Sequence, residues 1–250
     1  MLNEQKAIKC VEKLKTYFHN IKEDANVEYP ENLSKTSNEY LIYIFYSCLL
    51  DYGMKSKIYH SNLTTTYKKH KEIFSPQYIV KNYTFNPEKL LETLKENVHP
   101  RYPNIALKKW LKLSAFLNEN INLKEKISNF SSYEELYKFI TNINGYGQKT
   151  GGLLLRLISE SGVCNFTDEI NAIPIDRHDV EISFLTEVIN KENPSTEEIK
   201  KLSLVWITAA KKHDVTPTDI DKYLWSIGNK FCTKKLCLEC PLKDICKKKI

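Results

Sequence analysis

The chain has 250 residues, 42% hydrophobic and 27% charged, which is enough to bury a sizeable core and unlike a disordered segment. Its 7 glycines are too few for an all-β sandwich rich in tight turns, and no apolar run is long enough to span a membrane. The formal charge of +6 admits a polyanionic partner and is uneven, with seven lysines between Lys230 and Ile250 against only Glu239 and Asp244.

In chain order the pattern reads as helix after helix, and the expected fold class is all-α. The N-terminus is charged from residue 4 and lacks an apolar segment, so no signal peptide is expected. Lys6 to Ile21 carries Ile8, Val11, Leu14, Tyr17 and Phe18 at helical spacing. Residues 38–50 are almost continuously apolar and aromatic, which suits a helix buried on most sides. Asn86, Pro87 and Glu88 read as an N-cap and first turn, opening a helix to about Asn97. Ile105 to Asn118 places Leu107, Trp110, Leu111, Leu113, Ala115 and Phe116 on one broad face. Ser131 and Ser132, each with a glutamate three positions on, are capping-box candidates for a helix to Ile143. Ser195 with Glu198 repeats the device for a helix to about Lys212, and Thr216-Pro217 opens another.

Between two of these helices lies INGYGQKTG, residues 143–151. A helix ending near Ile143, a turn at Asn144–Gly147 and a helix from Gln148 to about Glu160 make a helix–hairpin–helix. Glycines leave such a turn bare, and the amides of a helix start form a natural seat for a phosphate. The ordinary alternative is an αα-hairpin whose glycines only tighten the corner. Lys149 is the unusual residue. An amine in the first turn adds positive charge to the positive helix end. That penalty favours a neutral, nucleophilic amine, able to attack an electrophilic sugar carbon. A phosphate-binding lysine is the simpler reading of the motif by itself.

The chain has seven cysteines, an odd number, and four of them fall within the last 19 residues. That is not a disulfide framework, and a reducing compartment, the cytoplasm, is expected. Cys232, Cys237, Cys240 and Cys246 form C-x4-C-x2-C-x5-C. Four thiolates in one short loop suit a [4Fe–4S] cluster, or alternatively a zinc ion. Cys10, Cys48 and Cys164 form no motif and are expected to be core thiols.

Taken together, INGYGQKTG resembles the glycine hairpin of the endonuclease III branch of the helix–hairpin–helix DNA glycosylases. IPIDRHDV (173–180) is similar to that family's V-D-x-H segment, and LWSIGNKFC (224–232) with the cysteines is similar to its C-terminal cluster region. The resemblance implies Lys149 as a Schiff-base nucleophile and Asp176 as the catalytic carboxylate. It implies a structural [4Fe–4S] cluster on the four cysteines. DNA contacts would come from Gly145, Tyr146 and Gly147, and from Lys234 and Lys235 in a basic loop. Damaged double-stranded DNA would be the partner, bound by a monomer as glycosylase and abasic-site lyase. Two helical lobes are implied, residues 35–145 ending in the hairpin and residues 1–34 together with 146–250. The rivals are a non-catalytic DNA-binding hairpin protein with a structural metal, a zinc-stabilised interaction module, and a monofunctional glycosylase.

The sequence departs from the family in several places. Asn144 stands for a proline and Gly151 for an alanine, and the first cysteine spacing is two residues short. The connection from Lys149 to Asp176 is longer than usual and contains Asp168 and Glu169, either of which is a further carboxylate candidate. In YSCLLDYGMKSKIYH (46–60) Ser47 is present, but the family glutamine is not. Leu49 and Leu50 are candidates for an apolar wedge or simply for core positions. The sequence therefore does not identify the lesion.

Overall fold

The computed structural model of the protein describes residues 2–19, 28–52, 55–164, 166 and 175–247. Among these residues the architecture is all-α; the only β pairing is an isolated antiparallel bridge between Leu2 and Ile189. The chain divides into two compact units, residues 27–168 and residues 1–26 with 169–250. No helix among the described residues is long and apolar enough to cross a membrane.

The 27–168 unit is built around α2, Asn38–Leu49, which Ser37 caps by accepting the Tyr40 N–H. Its unbroken apolar sequence has a simple cause: α2 is buried on nearly every side, with nine of its residues inaccessible. α3 (Ser56–Lys69), α4 (Pro76–Tyr83), α5 (Glu88–Thr93), α6 (Pro103–Glu119), α7 (Leu123–Ser128) and α8 (Tyr133–Asn142) follow it. α9, Gln148–Ser161, closes the unit. Tyr46 of α2 stacks on Trp110 of α6 at 4.5 Å, and its hydroxyl is paired with the Ser114 hydroxyl at 2.7 Å. Trp110 Nε1 donates to the Ile73 carbonyl at 2.9 Å. The large aromatics thus bury their rings without orphaning their polar atoms.

The sequence places the α5 cap one residue early. The residue before α5 is Pro87, which has no side chain able to cap, and the helix passes into a π turn at Leu94–Val98. α8 does start from Ser132, whose hydroxyl accepts the N–H groups of Glu134 and Glu135.

The other unit brings α1, Glu4–His19, together with the C-terminal helices α10 (Arg177–Leu185), α11 (Thr196–Lys211) and α12 (Pro217–Ile227). Phe18 of α1 stacks on Tyr223 of α12 at 4.3 Å, and Trp206 Nε1 of α11 donates to the Ser183 hydroxyl of α10 at 3.0 Å. α11 has the reciprocal capping box its sequence predicts: Ser195 N–H donates to Glu198 and Glu198 N–H donates to Ser195. Thr216 caps α12 by accepting the Asp219 N–H. α12 runs into a second π turn, Gly228–Cys232, which leads to the cysteine loop.

Candidate functional site

The hairpin forms as its sequence predicts. α8 ends at Asn142, and the turn passes through Gly145 at φ +111°, a conformation that strains any residue with a Cβ. A Cβ there would also lie 2.8 Å from Leu49 Cδ1. Gly147 differs: nothing lies within 4 Å of its would-be Cβ, so its bareness opens space without being required by packing. Lys149 is exposed in the first turn of α9. The first-turn amides of Gln148, Lys149 and Thr150 have no carbonyl four residues back within the helix to accept them. The Gly147 N–H is taken by the Thr150 hydroxyl at 3.1 Å and the Tyr146 N–H by the Ile143 carbonyl at 3.2 Å.

The Tyr146 side chain turns inward. It is buried, its hydroxyl donates to the Phe45 carbonyl, and desolvation raises its pKa well above the usual phenol value. Its ring braces the hairpin rather than facing outward. Lys109 of α6 adds a second brace, donating from Nζ to the Gly145 carbonyl at 3.3 Å and lying 4.3 Å over the Tyr52 ring. Its desolvation lowers the pKa of that amine. Leu49 and Leu50 are buried in the core, which is the plainer of the two roles the sequence allows them.

One acid near Lys149 was not singled out by sequence reasoning. Asp51, 3% exposed, lies just past the end of α2 and accepts hydrogen bonds from Ser56 at 3.1 Å and His60 at 3.3 Å. Burial pushes its carboxyl up, but His60, the nearby Lys149 charge and Ser56 outweigh that and hold it below the usual carboxylate value. The available signal was an aspartate directly after an apolar helix, which ordinary capping also explains.

In the other unit Asp176 is the N-cap of α10. Its Oδ1 accepts the N–H groups of His178 at 2.7 Å and Asp179 at 3.3 Å, while its own N–H donates to Asp179 Oδ2 at 2.7 Å. The structure therefore gives this aspartate a capping role at the positive end of a helix. His178 packs its Cβ and ring against the bare backbone of Gly228, and its Nδ1 is buried without a hydrogen-bond partner. Asp168 and Glu169 lie outside the described residues.

Cys232 ends the second π turn, Cys237, Cys240 and Cys246 follow it, none of the four is in a disulfide, and Lys234 and Lys235 between the first two are exposed. Burial, then Cys240, Glu181, Cys246 and Cys237 in turn, push the Cys232 thiol up to about 12. All three other thiols act on it, and four thiols supply the donor chemistry of a four-thiolate group. No preformed metal-holding group of three or more His, Cys, Asp or Glu occurs among the described residues. Cys10, Cys48 and Cys164 are buried, as expected for core thiols.

The all-helical fold is shared with a solved structure. The chain is similar to the crystal structure of the 8-oxoguanine DNA glycosylase of Thermotoga maritima, at 18% identity and a TM-score of 0.56, over 90% of this chain and 97% of that one. No protein-family model and no curated protein matches the sequence.

Proposed function

We propose that the protein is a base-excision DNA glycosylase with an associated abasic-site lyase activity. The observation that carries this reading is Lys149 itself, exposed in the first turn of α9 behind a bare glycine turn, in a fold shared with a DNA glycosylase. A damaged base must leave the helical stack before chemistry can reach it, and a weakened base pair lowers that cost. The Lys149 amine attacks C1′ of the lesion nucleotide. The C1′–base bond breaks, the base departs with a proton, and an imine joins enzyme and sugar. The imine acidifies the C2′ proton, whose loss expels the 3′ phosphate and cuts the strand. Asp176 supplies the carboxylate that stabilises positive charge on the sugar or relays protons for the amine. Gly145 and Gly147 let the DNA backbone approach the hairpin, and Lys234 and Lys235 add charge for the same polyanion.

The four cysteines would hold a [4Fe–4S] cluster whose contribution is structural, pinning the C-terminal loop. Oxidised guanine is the first lesion to assay, because the structural neighbour is an 8-oxoguanine glycosylase.

Borohydride trapping on duplex DNA carrying an abasic site tests the proposal. Wild type is expected to form a covalent adduct that Lys149→Ala does not. Absence of an adduct with folded wild type would overturn the lyase assignment and leave Lys149 as a phosphate contact. Release of 8-oxoguanine without an adduct would favour a monofunctional glycosylase.

A further inference from the structure

Two further carboxyl groups lie behind Asp176. Asp179 is 2% exposed; its Oδ2 accepts the Asp176 N–H, and its Oδ1 is buried with no hydrogen-bond partner. Asp221, 3% exposed on α12, adds a negative charge close enough to act on it. The two acids of the capping box are therefore in unequal positions. Asp176 is half-buried and has two N–H donors converging on one oxygen at the positive end of α10. Asp179 has one donor and two carboxyl neighbours. An ionised carboxylate is costly to bury with so few donors, and two carboxyls in contact do not both ionise readily. Burial, then Asp176 and Asp221, push the Asp179 carboxyl well above its ordinary range.

We propose that Asp179 is a positioning residue for Asp176, a proton-bearing carboxylic acid that locks the start of α10 and leaves the negative charge of the pair on Asp176. The titratable groups acting on Asp179 are Asp176 from the start of its own helix and Asp221 from α12. From the second π turn, Gly228 meets His178 and Cys232 senses Glu181; from α11, Trp206 meets Ser183. Loss of the Asp179 proton as pH rises through its folded value places a second negative charge inside the box. The two carboxylates then repel, and the cap that orients Asp176 loosens. The catalytic consequence rests on the reading of Asp176 under the proposed function; the protonation does not.

The sign of the stability effect follows from the raised value. In the unfolded chain Asp179 releases its proton near pH 4, whereas in the fold it holds it to higher pH. Its stabilising contribution is therefore full below about pH 4 and is lost as pH rises to the folded value. Asp179→Asn keeps an oxygen for the Asp176 N–H and cannot ionise. Melting temperatures of wild type and this variant are measured from about pH 4 to about pH 9. The variant is expected to gain on wild type by about 3–5 °C per pH unit across the window, then hold level. Parallel curves would overturn the proposal. Should the variant fail to fold, the infrared spectrum of wild type decides: a protonated carboxyl stretch must persist at pH above the ordinary carboxylate range, and its absence overturns the assignment.

Trapping adds the functional arm. Wild type is expected to lose trapping rate as pH rises through the folded Asp179 value, while Asp179→Asn stays level. Parallel profiles would overturn the positioning role and leave the glycosylase reading standing. No trapping by wild type would overturn that reading, while melting and infrared still decide the state of Asp179.

Discussion

Gly228→Ala tests the contact that joins the Asp176 helix to the cysteine loop. Gly228 has helical dihedrals, φ −57° and ψ −48°, so backbone preference alone favours alanine by about 1 kcal/mol. Packing opposes it. The added Cβ would lie 2.5 Å from His178 Cβ and 2.7 Å from His178 Cγ. Carbon atoms in good contact sit about 3.5–4.0 Å apart, so the segments must separate by roughly 1 Å. The Cβ of His178 is fixed to the α10 backbone, and no rotamer change moves it away. Overpacking costs typically about 1–3 kcal/mol, and a backbone-fixed clash belongs at the upper end. After the propensity gain about 2 kcal/mol of destabilisation remains, a fall in melting temperature of about 4–8 °C. Thermal unfolding monitored by circular dichroism reads this directly. The same substitution in a His178→Gly background should become stabilising, because the clash is gone and the helix preference stays. A Gly228→Ala protein as stable as wild type, with His178 intact, would refute the close approach.

The hairpin glycines should separate cleanly. Gly145→Ala is expected to cost about 1–3 kcal/mol from its positive φ, whereas Gly147→Ala should leave the melting temperature nearly unchanged. Loss of duplex-DNA affinity in Gly147→Ala would then report close approach of a ligand, and unaltered affinity would place the DNA elsewhere. Asp51→Asn removes the carboxylate that His60 and Ser56 share and should cost about 1–3 kcal/mol near neutral pH. Because the Asp51 carboxyl is held low, wild type should lose this advantage only as pH falls below about 4, through the folded value. An advantage that vanished well above that range would contradict the depressed Asp51 carboxyl. Anaerobic reconstitution with iron and sulfide should give a brown protein with broad visible absorbance, lost in Cys240→Ser; a colourless zinc protein would replace the cluster assignment.

The sequence made the long amphipathic helices and their caps readable, because spacing and capping are local. α1, α2, α6, α8, α9, α11 and α12 fall within a few residues of their expected ranges, and the Ser195–Glu198 box and Thr216 cap form as read. α3 was hidden because Thr64, Thr65 and Thr66 dilute its helical preference, and its buried Tyr59, Leu63 and Tyr67 are anchored by tertiary packing. The π turns at Leu94–Val98 and Gly228–Cys232 have no periodic signature in the sequence. Lys149 was legible as a candidate because a lysine at a helix start runs against the local electrostatics. Asp51 and Asp179 were not, because an aspartate near a helix end is ordinary until its burial is known.

The hairpin unites these points. Outwardly the turn is bare, and the sequence shows that much in Gly145 and Gly147. Inwardly it is held at three places: Tyr146 reaches the Phe45 carbonyl, Leu49 fills the space against Gly145, and Lys109 ties the Gly145 carbonyl to α6. All three anchors lie within the 27–168 unit, far apart in sequence and close in space. A nucleophile on a free loop would spend part of its binding energy on ordering that loop with each substrate. A nucleophile on the first turn of a helix, behind a corner braced from α2 and α6, has that order before substrate arrives. For the nucleophile proposed above, an electrostatically awkward position becomes a useful one. The helix start costs Lys149 a little stability, and the braced turn fixes where its backbone sits.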